Sequence, residues 1–358
     1  MEPDRGMDPE KSNKRKLTGT GLWRILFGTV LAAFTLYAVL DTFVIPRKMQ
    51  TGAGSLNLSM FETAAPASSA APVSSAVPAS TAAPASSAAP VSSAVPASTV
   101  AAATSATAAA AATPEPTALP DSDPQEDIVI EYKEYYQDGT AIYVADVRLS
   151  SAQYLRTAFA RDTYGRNVTA YTSSIAAAHN ALLAINGDYY GAQERGYVIR
   201  NGVIYRSTRS SADVLCVYTD GTMKVVDPKE YTAEQLLADG VWQAFSFGPG
   251  LVVDGEISVS VKDEVSRAMN SNPRTAIGMI EPNHFIFVVA DGRTWSSAGL
   301  SLYELAEFMQ SLGAVTAYNL DGGGSSTMYY NGAVVNNPTS GGRTSKERAV
   351  SDIIYIGS

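Results

Sequence analysis

The residues best equipped for chemistry sit together in Asn319–Thr327, which reads NLDGGGSST. One carboxylate, Asp321, precedes Gly322, Gly323 and Gly324, and the hydroxyls of Ser325, Ser326 and Thr327 follow. Three successive glycines would weaken the interior of a strand or helix. They suit a sharp bend whose peptide N–H groups come close to a ligand, and a run of such N–H groups forms an anion-binding nest. The same residues also read as a plain glycine-rich hairpin turn with an exposed aspartate, and composition does not choose between the two.

Further polar groups fall where strands are expected to stop, which is where sites collect in sheet-based domains. Ala184–Gly191, AINGDYYG, offers Asn186, Asp188 and Tyr189. Pro273–Gly278, PRTAIG, carries Arg274 into a strand, Asp291-Gly292-Arg293 ends the next, and Lys346–Asp352, KERAVSD, contains Glu347 and Arg348. Singly, each has an ordinary structural reading: a surface arginine, a turn aspartate, Asn186 as a turn cap, Arg348 in a salt bridge. Other chemistries lack their residues. There are two histidines, His179 and His284, and no HExxH or CxxC, so a dedicated zinc site is not expected. The glycine run lacks the lysine of a P-loop, and GxSxG is absent. His179 ends an expected helix and could face the site; His284 begins a strand and reads as structural. No cofactor is implied: a divalent cation at Asp321 or Asp188 is compatible with the residues, but no ligand spacing requires one.

The elements that position these groups are mostly strands. Ile128–Tyr136 and Thr140–Leu149 are rich in β-branched and aromatic residues, and Asp138-Gly139 between them signals a hairpin. Asn201-Gly202, Asp220-Gly221, Asp254-Gly255 and Asn331-Gly332 mark further hairpins. Helices are expected over Thr172–Asn180, Thr232–Asp239 and Ser301–Leu312, the last two with capping boxes Thr232/Gln235 and Ser301/Glu304. Many hairpins with two or three helices define an α+β domain on a mixed, mostly antiparallel sheet.

This domain, expected over residues 127–358, is preceded by three segments of different composition. Residues 1–20 form a basic tail with Lys11, Lys14, Arg15 and Lys16. Residues 21–46 are apolar and near the ~20 residues a bilayer requires, so a single transmembrane signal anchor is expected, with the tail cytoplasmic and the C-terminal domain extracellular. A cleaved signal peptide is the competing reading. Residues 47–126 are rich in Ala, Pro, Ser and Thr: Ala65–Ala82 recurs as Ala83–Val100 with one change, with prolines every six residues. Such a tract has too few large apolar groups to fold and predicts a disordered, extended stalk. The remaining roughly 230 residues suffice for one core. The net charge of −9 argues against a nucleic-acid partner. The single cysteine, Cys216, excludes an intrachain disulfide.

Taken in order, AINGDYYG, NPRTAIG, DGR before a helix, AYNLDGGGSSTMYYNG and ERAVSD resemble the phosphodiester glycosidase (NAGPA-type) family, from about Asn180 to Ser358. One departure is Asp188, where members often have glycine. The resemblance implies a hydrolase that breaks the anomeric C–O bond of a sugar-1-phosphodiester and leaves a phosphomonoester. It implies a carbohydrate phosphodiester as partner; the membrane contact through one helix is read from the apolar span, which lies outside the resemblance. In its terms Asp321 is the catalytic carboxylate, with Asp188 and Glu347 as reserves. Arg274 and Arg348 hold phosphate oxygens, and the Gly322–Gly324 amides with Ser325, Ser326 and Thr327 complete the cradle. Asn186 and Tyr189 contact sugar hydroxyls. A cell-envelope or exopolysaccharide substrate of a bacterium is expected. The alternatives are a non-catalytic module holding an anionic glycan, or a tethered protein whose partner matters more than any ligand.

Overall fold

Alternation of side chains along strands decides how this chain layers. In the computed structural model, which describes residues 19–49, 54–55, 127–261, 271–341 and 344–357, a seven-stranded sheet lies at the centre. Its strand order is Glu256–Ile257, Gly250–Val253, Thr316–Asn319, Arg274–Glu281, His284–Ala290, Thr140–Leu149, Ile128–Gln137. In the fifth of these, Ile286, Val288 and Ala290 join one core while Phe285, Phe287 and Val289 join another. The neighbouring strand divides likewise, with Ile142 and Val144 on one side and Val147 and Leu149 on the other.

The first of these faces packs against the helix Leu302–Ser311. Its capping box, Ser301 with Glu304, is formed as its spacing predicts, and Gly313 follows it at φ +90°. Leu305 and Met309 are wholly buried there, each contributing about 1.5–3 kcal/mol. Gly278 admits the helix: a Cβ at that position would stand 2.6 Å from Met309 Cε.

The other face meets two five-stranded sheets. One runs Ala333–Val334, Met328–Tyr330, Leu183–Asn186, Asp352–Ile356, Leu155–Phe159; the other runs Met223–Val226, Val214–Tyr218, Val241–Phe245, Val198–Arg200, Val203–Arg206. Leu183, Ile185 and Ile354 from the first, and Leu215, Val217 and Phe245 from the second, share one core with Phe285, Phe287 and Tyr318 of the central sheet. Each five-stranded sheet carries a short helix on its outer side. Thr172–Ala178 packs Ile175 and Ala176 against Ile353, and Ala233–Ala238, with its capping box formed, packs Leu236 against Ile199 and Cys216. Every strand pairing among the described residues is antiparallel, and the class is α+β as expected.

Near the N-terminus a helix covers Gly19–Phe43, and its Trp23–Thr42 portion is long and apolar enough to cross a membrane. The segment after it departs from the expected start of a stalk at residue 47. Arg47–Lys48 pairs antiparallel with Gly165–Arg166, Met49 N donates to Tyr164 O, and Ser55 bridges to Val203. Gly165 permits the pairing, because a Cβ there would lie 2.4 Å from Arg47 O. A chain expected to be solvated therefore uses its backbone donors against the domain. The basic tail to residue 18 and the repeats of the proline-rich tract lie outside the described residues.

Candidate functional site

Antiparallel register brings the site together. Ala276 pairs with Asn319 and Leu320 N donates to Thr275 O, so the start of the strand Arg274–Glu281 reaches the level of Asp321. Beyond Asp321 the three glycines fold back on the neighbouring chain. Gly323 N donates to Pro273 O at 2.8 Å, and a Cβ on Gly322 would stand 2.9 Å from that same oxygen. Gly323 adopts φ +63°, and a Cβ on Gly324 would meet Ser340 Oγ at 2.3 Å. The glycines are thus required by close approach and a left-handed turn.

A cleft of about 520 Å³ opens beside this bend. Asp321 is the single acid among its lining residues, which also include three arginines, Arg274, Arg293 and Arg348. Asp321 is 8% exposed. Its Oδ2 accepts from Arg348 Nη2 at 2.8 Å and from Ser325 Oγ at 2.6 Å. Burial raises its carboxyl above the ordinary aspartate range, against the opposing pull of Arg348, Ser325 and the Gly322 N–H. Arg348 also reaches Ser325 Oγ through Nε and Nη2, and its backbone N–H donates to Gly324 O. The guanidinium is anchored to the bend from three directions while its side chain stays 43% exposed. Arg274, buried, donates Nε to Leu300 O at 2.9 Å. The half-buried Phe247 adds an aromatic wall.

Several expected site residues do other work. Asp188 is wholly buried and does not line the cleft: its carboxylate accepts from Arg200 Nη2 (2.9 Å), Tyr190 N (3.2 Å) and Ser246 N (2.9 Å). Arg200 also donates to Asp352 at 2.9 Å, so one buried cation holds two buried aspartates, and burial raises the Asp352 carboxyl while Arg200 draws it back. That role, not catalysis, fits Asp188. Glu347 accepts from Ser173 N and Oγ at the start of the helix Thr172–Ala178 and does not line the cleft. Asn186 is wholly enclosed. It donates to Asp321 O at 2.6 Å and accepts from Thr275 Oγ1 and Thr327 N, pinning three segments behind the bend instead of meeting a sugar. Ser326 and Thr327 are wholly buried and do not line the cleft, their hydroxyls without a hydrogen-bond partner among the described residues, and Ser325 is occupied by Asp321 and Arg348. Two of the three glycine amides are engaged within the protein: Gly323 N–H serves Pro273 and Gly322 N–H serves Asp321. Tyr189, at φ +63° and 43% exposed, sits with its ring centroid 5.9 Å from Arg348 Cζ. His179 pairs with Asp162 at 3.0 Å and His284 with Asp146 at 2.8 Å, both apart from the cleft's lining.

Two cleft residues were given no role by sequence reasoning. Arg293, at φ +61°, holds Asn272 Oδ1 through Nε at 3.0 Å and lays its guanidinium over Gly323. Its signal was the Asp-Gly-Arg at a strand end. Asn319, 3% exposed, donates Nδ2 to Gly248 O at 2.8 Å, and its Oδ1 has no hydrogen-bond partner among the described residues. It lay inside the glycine-rich motif. No group of three or more metal-ligating side chains occurs among the described residues.

Fold and cleft together define an antiparallel α+β domain with a cation-rich strand-tip site organised by a single acid. The chain belongs to the phosphodiester glycosidase family, whose match covers residues 179–357. It is 31% identical over 189 residues to the SPbeta prophage-derived uncharacterized protein YomE of Bacillus subtilis, a match covering 51% of this chain and 29% of that one. It is 44% identical over 66 residues to N-acetylglucosamine-1-phosphodiester alpha-N-acetylglucosaminidase of Mus musculus, covering 18% and 13% of the two chains. The chain thus spans less than a third of either curated relative. The zebrafish catalytic domain of that glucosaminidase, in a form auto-inhibited by its pro-peptide, superposes with a TM-score of 0.51 at 20% identity, over 64% of this chain and 83% of that one, which establishes the shared fold. Family membership supports a hydrolase-type function.

Proposed function

We propose that the chain is a membrane-anchored, extracytoplasmic hydrolase that cleaves sugar-1-phosphodiester bonds of envelope glycans. The observation carrying this is the lining of the cleft: three arginines and one carboxylate at the tips of adjacent strands. Ordinary glycosides need a carboxylic acid for the leaving oxygen and a second carboxylate as base or nucleophile. A phosphomonoester leaves more easily, since its second pKa is about 6. Phosphate donors and one carboxylate then suffice. Arg274, Arg293 and Arg348 hold the phosphate oxygens, Arg348 and Arg293 from the mouth and Arg274 from deeper in the wall. The sugar lies toward Phe247, with the Asn319 amide behind it.

Water attacks the anomeric carbon as its bond to the phosphate oxygen breaks. The bonding electron pair leaves with the phosphomonoester, and the proton from water passes to Asp321 and on to solvent. Arg348 and Ser325 both hold Oδ2 of Asp321, which fixes the carboxylate in place to receive that proton. The same carboxylate stabilises positive charge on the sugar. The apolar helix Trp23–Thr42 supplies the anchor.

The ion pair that already neutralises Asp321 favours a second reading, a site that holds an anionic glycan without turning it over. One experiment separates the two. Detergent-solubilised full-length protein is incubated with α-GlcNAc-1-phosphodiester and related sugar-1-phosphodiesters, and released sugar and phosphomonoester are measured. Turnover supports the hydrolase; binding with no product across the series supports the holding module.

A further inference from the structure

We propose a second saccharide subsite, built on Trp295 and lying across Arg293 from Asp321, which takes a neutral sugar ring of the same glycan chain; this rests on the hydrolase reading for its context. Trp295 is 99% exposed. A bare indole is unusual on a free surface, and it is carried on a closed turn, not a loose tip. Thr294 N donates to Ser297 O at 3.0 Å, Ser297 N donates to Thr294 Oγ1 at 2.9 Å, and Arg293 N donates to Ala298 O at 3.3 Å. The turn is fixed to the sheet through Ser297 Oγ, which donates to Asp291 O, and through Tyr136 OH, which donates to Ser296 O.

Beside the indole lies a separate groove of about 140 Å³, lined by Thr294, Ser296, Asn337, Thr339 and Thr344 among others, with no charged side chain among the described residues that line it. Hydroxyls and an amide around an aromatic face match a sugar ring, which offers C–H groups on one face and hydroxyls at its edge. The groove's two walls are set by one buried residue. Asp291 accepts from Asn337 N at 3.0 Å and Asn336 Nδ2 at 2.9 Å on one side, and from Ser297 Oγ through its carbonyl on the other. The groove is therefore held ready for its ligand.

Continuity with the main cleft comes from both walls. Arg293 lines the cleft and Thr294 the groove, as consecutive residues of one turn. On the opposite wall Thr339 lines the groove while Ser340 packs against Gly324 of the bend. A glycan chain reaching from Asp321 past Arg293 arrives at Trp295, which makes the favoured substrate a polymer and not a single sugar-phosphate.

The test uses detergent-solubilised full-length protein and neutral pentasaccharides: maltopentaose, cellopentaose and penta-N-acetylchitopentaose. Binding is read by calorimetry and by tryptophan fluorescence. At least one pentasaccharide is expected to bind. Trp295→Ala should weaken that binding at least about tenfold, the scale of one lost aromatic anchor. An exposed side chain can be truncated without unfolding the protein, and an unchanged melting curve checks this. If no pentasaccharide binds, or if Trp295→Ala binds as wild type does, the subsite is overturned. Failure of the hydrolase reading looks different: Trp295-dependent binding persists and no sugar-1-phosphodiester is turned over.

Discussion

Asp321→Asn replaces one oxygen by an amide nitrogen and removes one charge from an enclosed site. A carboxylate about 4 Å from positive charge on the sugar contributes about 4 kcal/mol at an effective dielectric near 20. That is about three decades in rate at 1.36 kcal/mol per decade. Arg348 Nη2, 2.8 Å from Oδ2, already offsets part of the charge. The expected loss in kcat is therefore about 10²-fold or more, the range found when one preorganised electrostatic group is removed. Stability should move the other way. The folded-state pKa of Asp321 is raised by burial, so above it the ionised form costs folding free energy, and Asn removes that cost. Arg348, left without its partner, is 43% exposed and remains solvated. The assay is phosphomonoester release from a sugar-1-phosphodiester that wild type turns over, paired with a melting curve. Turnover within a factor of about three of wild type, under 1 kcal/mol, would refute the catalytic assignment. A collapse in melting temperature would move Asp321 from chemistry to scaffolding.

Arg274→Ala should lower kcat/KM by about 10²-fold or more through lost phosphate contacts, read on the same substrate; an effect on KM for neutral sugars alone would contradict it. With Asp321 acting as its carboxylate, activity should rise with pH through an apparent pKa above the ordinary aspartate value of about 3.9, and the Asn variant should lack that limb in a pH–rate profile. Arg200→Met leaves Asp188 and Asp352 buried without their cation and should cost about 3–5 kcal/mol, seen as a fall in melting temperature on the order of 10 °C. An unchanged melting temperature would rule out that pairing.

Much of the fold was legible because its signals are local. Asp138-Gly139, Asn201-Gly202 and Asn331-Gly332 each turn a hairpin, and Thr232/Gln235 and Ser301/Glu304 each cap a helix, since such geometry depends on residues within one turn. Asp321, Arg274 and Arg348 were legible as polar groups at strand ends, and the cleft gathers them. Asn186, Asp188, Ser326 and Thr327 looked equivalent in sequence yet point into packed protein. What separates them is their partners: Thr275 for Asn186, and Arg200 with Ser246 for Asp188, brought in by pairing across distant strands. Arg293 has the converse history. An Asp-Gly-Arg at a strand end is ordinary until the turn it begins folds over Gly323. The pairing of Arg47–Lys48 with Gly165–Arg166 has no local signature either, since two basic residues after an apolar span read as membrane flank.

That last pairing ties the segment just after the apolar helix to the domain. The chain is held at Arg47–Lys48 and again at Ser55, and Ile128–Gln137 is a strand of the same domain. Three residues, Val44, Ile45 and Pro46, separate the end of the apolar helix from the first pairing residue, Arg47, so about 14 Å of extended chain is the most that can lie between them.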